Sequence, residues 1–490
     1  IPEAIWAASP TTTRGSPTPL SSDGKGERIA YASNRSIFVR SIDRPAEAKQ
    51  YTQHTAATTV ARFSPSGFYI ASGDVSGQVR VWDAQGAEKT RGEYPIIAGR
   101  INDIAWDGDS QRIIAVGDGR ERFGHCITAD SGNSVGEISG HSAAINCVAV
   151  RPRRPLRAAT GGDDTSLCFL HGVPFKFHTS KRDTHQRFIY GTQFSPDGAT
   201  LVSVGADRRI WLYDGVTGEA QHQIGEGVHT GSIFGVSWAP DSRRLATCSA
   251  DQTVKLWDVE TGACTQSWRR GDDDDDDGVV RVAHQQLGVT WPGGRADGLV
   301  ISVDLEGRLN YFEPRSAQPV RVVRGHQKAI TAAALDAEAH TLITGSSDGR
   351  VRAWDVATGA ADEVIGAAHG SYVTGMAAPA PPESRVYSVG WDDRLWGIDC
   401  ATRACVGAPV PMPGQPRAVA TTSVDGRAFV LVATPEGIQV LSGSETISTH
   451  ALPAPTCLAA AAHVIAAGTA AHGLHVFHLS ATGTLTPQDA

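Results

Sequence analysis

The sequence predicts an all-β protein, and three observations carry that prediction. Short apolar runs recur along the whole chain, turns rich in Gly, Pro, Asp and Ser separate them, and no stretch of a dozen residues has helical periodicity. The runs also repeat as a unit, most fully in residues 325–355, GHQKAITAAALDAEAHTLITGSSDGRVRAWD. That unit opens with Gly-His, crosses a small-residue apolar strand and turns at Asp336 to Ala339. It continues as TLITGSSD, turns again at Asp348-Gly349 and closes on the alternating strand RVRAWD. Short strands, polar turns and a closing Trp-Asp at a spacing of about 40–45 residues are the signature of a WD-repeat β-propeller blade. In this unit His326, Thr344, Asp348 and Trp354 stand where their side chains can join in one buried hydrogen-bond chain. Such a chain stabilises a blade only when every member is satisfied. The same positions in the sixth unit are His229, Thr247, Asp251 and Trp257.

In order, the first unit holds RIAYAS and SIFVRSI (residues 28–42), and the second runs from His54 to Trp82-Asp83. The third, INDIAWDGDSQRIIAVGDGRERFG, has lost its Trp-Asp; the fourth opens at Gly140-His141. The fifth carries FSPDGATLVSVGADRRIWLYD, the sixth ends at Trp257-Asp258, and the seventh contains QQLGVTWPGG. After the eighth come YVTGMAAPAPPESRVYSVGWDDRLWGID, AVATTSVDGRAFVLVATPEGIQVLSG and CLAAAAHVIAAGTAAHGLHVFHL, eleven units in all. Turns beginning at Ser64, Ser195 and Ala239 place Pro at one corner and Asp, Ser or Gly after it, which suits a tight reversal. One propeller holds about 4–8 blades. The expectation is therefore a seven-bladed N-terminal propeller over residues 1–314 and a second, incomplete propeller of about four blades over 315–490. The chain begins at Ile1 and leaves the second ring short, so a partial chain or a shortened relative is expected.

Composition narrows the function. The formal charge of −8 is mostly one aspartate run, Asp272 to Asp277, read as a solvating loop, so the rest is near neutral and lacks a nucleic-acid footprint. No apolar run reaches the roughly 18–20 residues that span a bilayer, and the first ten residues lack a secretory pattern. None of the eight cysteines forms a C-x-x-C pair, which fits reduced thiols in the cytosol. His54, His141, His185, His229, His326 and His369 fall at or near blade starts and read as structural. No nucleophile–base order, paired-carboxylate arrangement or phosphate-cradling glycine motif has a supporting context, so neither catalysis nor a cofactor is expected.

More specific strings go further. GFYIASGDVSGQVRVWD, INDIAW, RIIAVGDGRERFG, DSGNSVGEISGH, GGDDTSL and PFKF resemble the actin-interacting protein 1 family of double-propeller WD-repeat proteins. QQLGVTW, GHQKAITAAA, VGWDDRL and QPRAVA extend the resemblance from about Ile5 to about Leu479. It implies a cytoplasmic, monomeric, non-enzymatic partner of actin filaments and ADF/cofilin, one that enhances severing and disassembly of cofilin-decorated filaments. The aspartate run and the missing final blades depart from that family. The alternative is a general scaffold in another assembly, such as a ubiquitin-ligase substrate receptor or an RNA-processing complex.

Candidate partner residues lie in the third and fourth units. Arg120, Glu121, Arg122 and Phe123 replace an ordinary turn with a charged bulge; alone this reads as a solvated cluster, and the resemblance places Glu121 in the family's actin/cofilin activity. In Gly162-Asp163-Asp164 the count from Thr160 matches that from Thr344 to Asp348. Asp164 is thus the structural member, and Asp163 a spare carboxylate projecting from the rim. In Phe175-Lys176-Phe177, alternation puts both aromatics on one face. Phe175 is expected to pack between the fourth and fifth units, while the resemblance makes Phe177, beside Lys176, an exposed anchor.

Overall fold

The computed structural model describes residues 5–269, 281–336, 338, 340–380 and 384–488. Asp272 to Asp277 therefore lies outside the described residues, as do Ala337 and Ala339 of the eighth unit's first turn. The described chain is all β apart from one short 3-10 helix, Val282–His284. Among the described residues no helix is long and apolar enough to cross a membrane.

The chain divides into two units, Ile1–Val323 and Arg324–Ala490. In the first, seven antiparallel four-stranded sheets follow one another in sequence. The outermost strand of the seventh is Arg321–Val323, paired with Leu309 to Tyr311, so this unit runs past residue 314. No Trp-Asp marks that boundary in the sequence.

Apolar residues on both faces of each sheet pack against the next sheet, and the interfaces form a closed series. Val148 and Phe175 help fill the layer between the third and fourth sheets, and Phe169 and Tyr213 that between the fourth and fifth. The last layer joins seventh to first: Ile301, Val303 and Tyr311 pack on Ile29, Tyr31 and Phe38, with Ala7 and Leu20 in the same cluster. The amide of Thr18 donates to the Leu287 carbonyl at 2.9 Å, seating the N-terminal segment beside the seventh sheet's innermost strand.

Polar side chains on the innermost strands tie the sheets at the centre. The Arg62 guanidinium bonds Asp103 at 2.8 Å, and Asp103 accepts from the Val148 amide at 3.1 Å. Gln193 accepts from the Trp238 amide, and Ser237 from the Trp291 amide, each at 2.9 Å. Each link spans neighbouring sheets, so the ring resists splaying where packing alone has least area.

In the second unit the strands of the eighth and ninth blades join edge to edge through Ile365 opposite Ala404 into one nine-stranded sheet, the tenth and eleventh blades are four-stranded sheets, and three apolar layers lie between the four blades. The ninth sheet's outer strand is split into Ala404–Cys405 and Val410–Pro411, both paired with Arg394–Asp399.

Candidate functional site

Inside the blades, the polar chains fix the loop ends that carry the candidate surface. In the sixth sheet His229 Nδ1 lies 2.8 Å from Asp251, its Nε2 lies 2.8 Å from Thr247 Oγ1, and Trp257 Nε1 donates to the same oxygen at 2.8 Å. Equivalent bonds join His185 to Asp207 and Ser203, and His369 to Asp392 and Ser388. The second sheet departs from the expected count. His54 pairs with Asp74, two residues after Ser72 rather than four, at 2.8 Å.

The eighth sheet corrects the expectation for Asp348. His326 Nε2 and Trp354 Nε1 both meet Thr344 Oγ1 at 2.7 Å. Asp348 instead accepts from Ser346 and leans toward Arg350, and the buried His326 Nδ1 is left without a hydrogen bond. The cause lies two residues on. Thr253 buttresses Asp251 in the sixth sheet, bonding it at 2.6 Å, whereas the eighth sheet has Arg350 at that place, 3.9 Å from Asp348, and Ser346 holds the carboxylate instead. Burial, with Arg352 nearby, pushes the His326 imidazole down to about 4.

In the fourth sheet His141 bonds Asp164 and Thr160, each at 2.9 Å, and the Ser142 amide donates to Asp164 at 2.8 Å. Burial raises the Asp164 carboxyl, but the His141 bond and the Ser142 amide outweigh it and bring the carboxyl down to about 2. Asp163 is not the projecting carboxylate that counting suggests. It is half-buried and accepts from Asn146 Nδ2 at 2.7 Å, and Asn146 also donates to the Ile189 carbonyl of the fifth sheet at 3.1 Å. Asp164→Ala is expected to cost about 1–3 kcal/mol by leaving His141 and the Ser142 amide unpaired, and Asp163→Ala less than about 1 kcal/mol. Urea titration of the two variants measures the difference. The Asp164 carboxyl is held low in the folded state, so its contribution is full above about pH 4 and is lost as pH falls toward about 2.

Phe175 and Phe177 do not share a face. Phe175 precedes the outer strand Lys176–Lys181, in a turn with φ of 64°, and is wholly buried between the third and fourth sheets rather than the fourth and fifth. Phe177 is 43% exposed, and its ring covers Gly140, where a Cβ would stand 2.5 Å from ring carbon Cδ2. Lys176 is exposed beside it. Arg120, Glu121 and Arg122 are exposed in the turn between the third sheet's second and third strands, and Phe123 is half-buried against the layer that holds Phe175.

Phe123, Phe177 and the Asp163-Asp164 turn meet at one connection, 138–144, whereas Lys176 is opposite His171, toward the other end of the strands. Ile138 shares the apolar layer with Phe123 and Phe175, Gly140 lies under Phe177, and His141 bonds the neighbour of Asp163. In an antiparallel meander the second-to-third turn and the connection to the next sheet leave from the same end of the strands. The Glu121 turn, the Asp163 turn and residues 182–188 therefore open on one face.

That face holds an aromatic absent from the sequence-derived candidates. Phe188 is 45% exposed, edge-on to Tyr190 at 6.3 Å, and Tyr190 packs on Phe234 at 5.2 Å. Burial and then the Asp163 charge raise the Tyr190 hydroxyl. Parity offers a signal: Ile189 heads the inward set of its strand, which leaves Phe188 and Tyr190 on the other side. Among the described residues no group of three or more His, Cys, Asp or Glu is placed to hold a metal ion.

The family described as WD domain, G-beta repeat, matches residues 47–83, 132–169, 178–214, 224–258 and 317–355. Several of these segments begin near the outer strand of one sheet and end on the third strand of the next, so the repeat straddles two blades. The chain is 41% identical over 418 residues to actin-interacting protein 1 of Drosophila melanogaster, covering 85% of this chain and 66% of the relative. It is 40% identical over 425 residues to WD repeat-containing protein 1-B of Xenopus laevis, covering 86% and 68%. It is also 37% identical over 496 residues to the 66 kDa stress protein of Physarum polycephalum, covering 99% and 79%. The chain thus spans about two-thirds to four-fifths of the length of these relatives.

Proposed function

Because the chain belongs to the actin-interacting protein 1 family of WD-repeat proteins, we propose that it binds actin filaments decorated with cofilin and promotes their severing and disassembly. One observation carries this reading: exposed charged and aromatic side chains gather on a rigid edge of the first ring. Glu121 with its flanking arginines, the half-buried Asp163 and Phe188 stand at or beside turns and connections on one end of the third to fifth sheets, and Phe177 lies on the adjoining outer strand with its ring over Gly140. Exposed aromatics on a rigid frame make strong anchors because little side-chain freedom is lost on contact. The surrounding mixed charges add selectivity and association rate more than affinity. The protein acts by binding, as a monomer associated with the cytoskeleton. Binding that favours the cofilin-altered filament over the bare one lowers the cost of reaching the state that breaks, without a catalytic group.

Co-sedimentation with actin filaments, with and without cofilin, tests the proposal. The chain is expected in the pellet at least about tenfold more readily when cofilin is present. Equal pelleting in both cases, or none, would favour a scaffold role in another assembly.

A further inference from the structure

The outer strand that carries Lys176 and Phe177 has an unusual fastening. Phe169 is opposite Thr179 and Leu170 is opposite Phe177, so His178 is the extra, bulged residue of that strand. Such bulges re-aim the side chains beside them. The second sheet has the same irregularity: Val81 is opposite Gly92 and Trp82 opposite Thr90, which makes Arg91 the bulged residue. There Arg91 Nε donates to Asp83, the residue after Trp82, at 2.8 Å. In the fourth sheet the residue after Leu170 is His171, and its ring stacks on His178 with centroids 3.7 Å apart and planes 17° apart. An imidazole pair replaces an ion pair at the same structural position.

We propose that the His171–His178 stack is a proton-sensitive latch, holding the strand Lys176–Lys181 and the aim of Phe177 while the His171 ring is neutral and releasing them when that ring takes up a proton. The groups around the pair are basic. Arg157 is opposite His171 on one side, and Lys176 on the other. Arg157 Nε is bound to the Val216 carbonyl of the fifth sheet, which fixes its charge near the pair. The carboxylates nearby in the chain fold are engaged: Glu219 by Lys181 at 2.7 Å, and Asp214 by the amides of Val216 and Thr217. His171 Nε2 is buried without a hydrogen bond, so a proton added there gains no acceptor. Burial first, then Arg157 and His178, already hold the His171 imidazole below its ordinary value. The open strand consequently binds protons more readily than the closed one, and closure weakens as pH falls below the ordinary imidazole range near 6.5.

Hydrogen exchange measured by mass spectrometry on the full chain tests the latch without any partner. After correction for intrinsic exchange, protection of residues 176–181 is expected to fall about tenfold between about pH 7.5 and about pH 5.5, while the strand Thr90–Pro95 stays constant. A double variant, His171→Asp with His178→Arg, copies the second sheet's ion pair and is expected to lose the response; His178→Gln, which removes the ring stacked on His171, should lose it too. Equal change in both strands, or a response retained in both variants, would overturn the proposal. The effect on partner binding rests on the proposed function, and filament co-sedimentation at the two pH values reads it separately. An exchange response with no change in co-sedimentation would count against Phe177 as an anchor, not against the latch.

Discussion

Asp251→Ala is expected to lower stability by about 2–4 kcal/mol, more than the loss of Asp164 from the fourth sheet. Asp251 accepts from His229 at 2.8 Å, from the amides of Thr230 and Thr253 at 3.0 Å each, and from the Thr253 hydroxyl at 2.6 Å. Removing it strands a buried imidazole and two amides at once, and the Thr247 hydroxyl shared by His229 and Trp257 loses its orientation. Burial works against the ionised Asp251, but the bond and charge of His229 prevail and hold its carboxyl well below the ordinary range. The contribution is therefore complete above about pH 4 and is lost as pH falls below it. Asp348→Ala is the control. It occupies the same position in the eighth sheet yet makes no bond to His326, so a change within about 0.5 kcal/mol is expected. Calorimetry and urea titration of both variants give the comparison, and equal losses would mean that the two aspartates do the same work.

Phe177→Ala is expected to weaken binding to cofilin-decorated filaments by about 10- to 30-fold with little effect on folding. The ring is 43% exposed and covers Gly140 rather than filling the core, so truncation removes contact area without leaving a buried cavity. Phe175→Ala should do the reverse. That ring is wholly buried between the third and fourth sheets, and its loss is expected to cost about 3–5 kcal/mol. Two phenylalanines two residues apart thus separate affinity from stability, read by filament pelleting and by thermal denaturation.

Blade number and order are legible in the sequence because a blade's local signals agree: alternating strands, Pro-Asp or Ser-Gly turns, and Trp-Asp at the close. Counting from Thr160 also singles out Asp164, since the turn length between those positions is the same in the fourth and sixth sheets. Counting fails where side chains compete. Asp74 serves the second sheet from two residues after Ser72, and Asp348 is bonded by Ser346 rather than by His326. Alternation fails at Phe175 because it assumes a strand, and that residue is in a turn with positive φ. Asp163 looks free in the sequence because the Asn146 that binds it comes from another strand, a partner no local reading supplies. Phe188 reads as a lone aromatic in a connection, and its exposure beside Tyr190 follows only from the packing of the fifth sheet.

The most direct measurement is severing of single actin filaments under the microscope, comparing the wild-type chain with the variant Glu121→Ala, Asp163→Ala, Phe177→Ala. Wild type should accelerate breakage of cofilin-decorated filaments and leave bare ones intact, and the triple variant, folded by calorimetry, should lose most of that acceleration. Undiminished severing by the triple variant, or equal action on bare filaments, would contradict recognition through this edge of the ring.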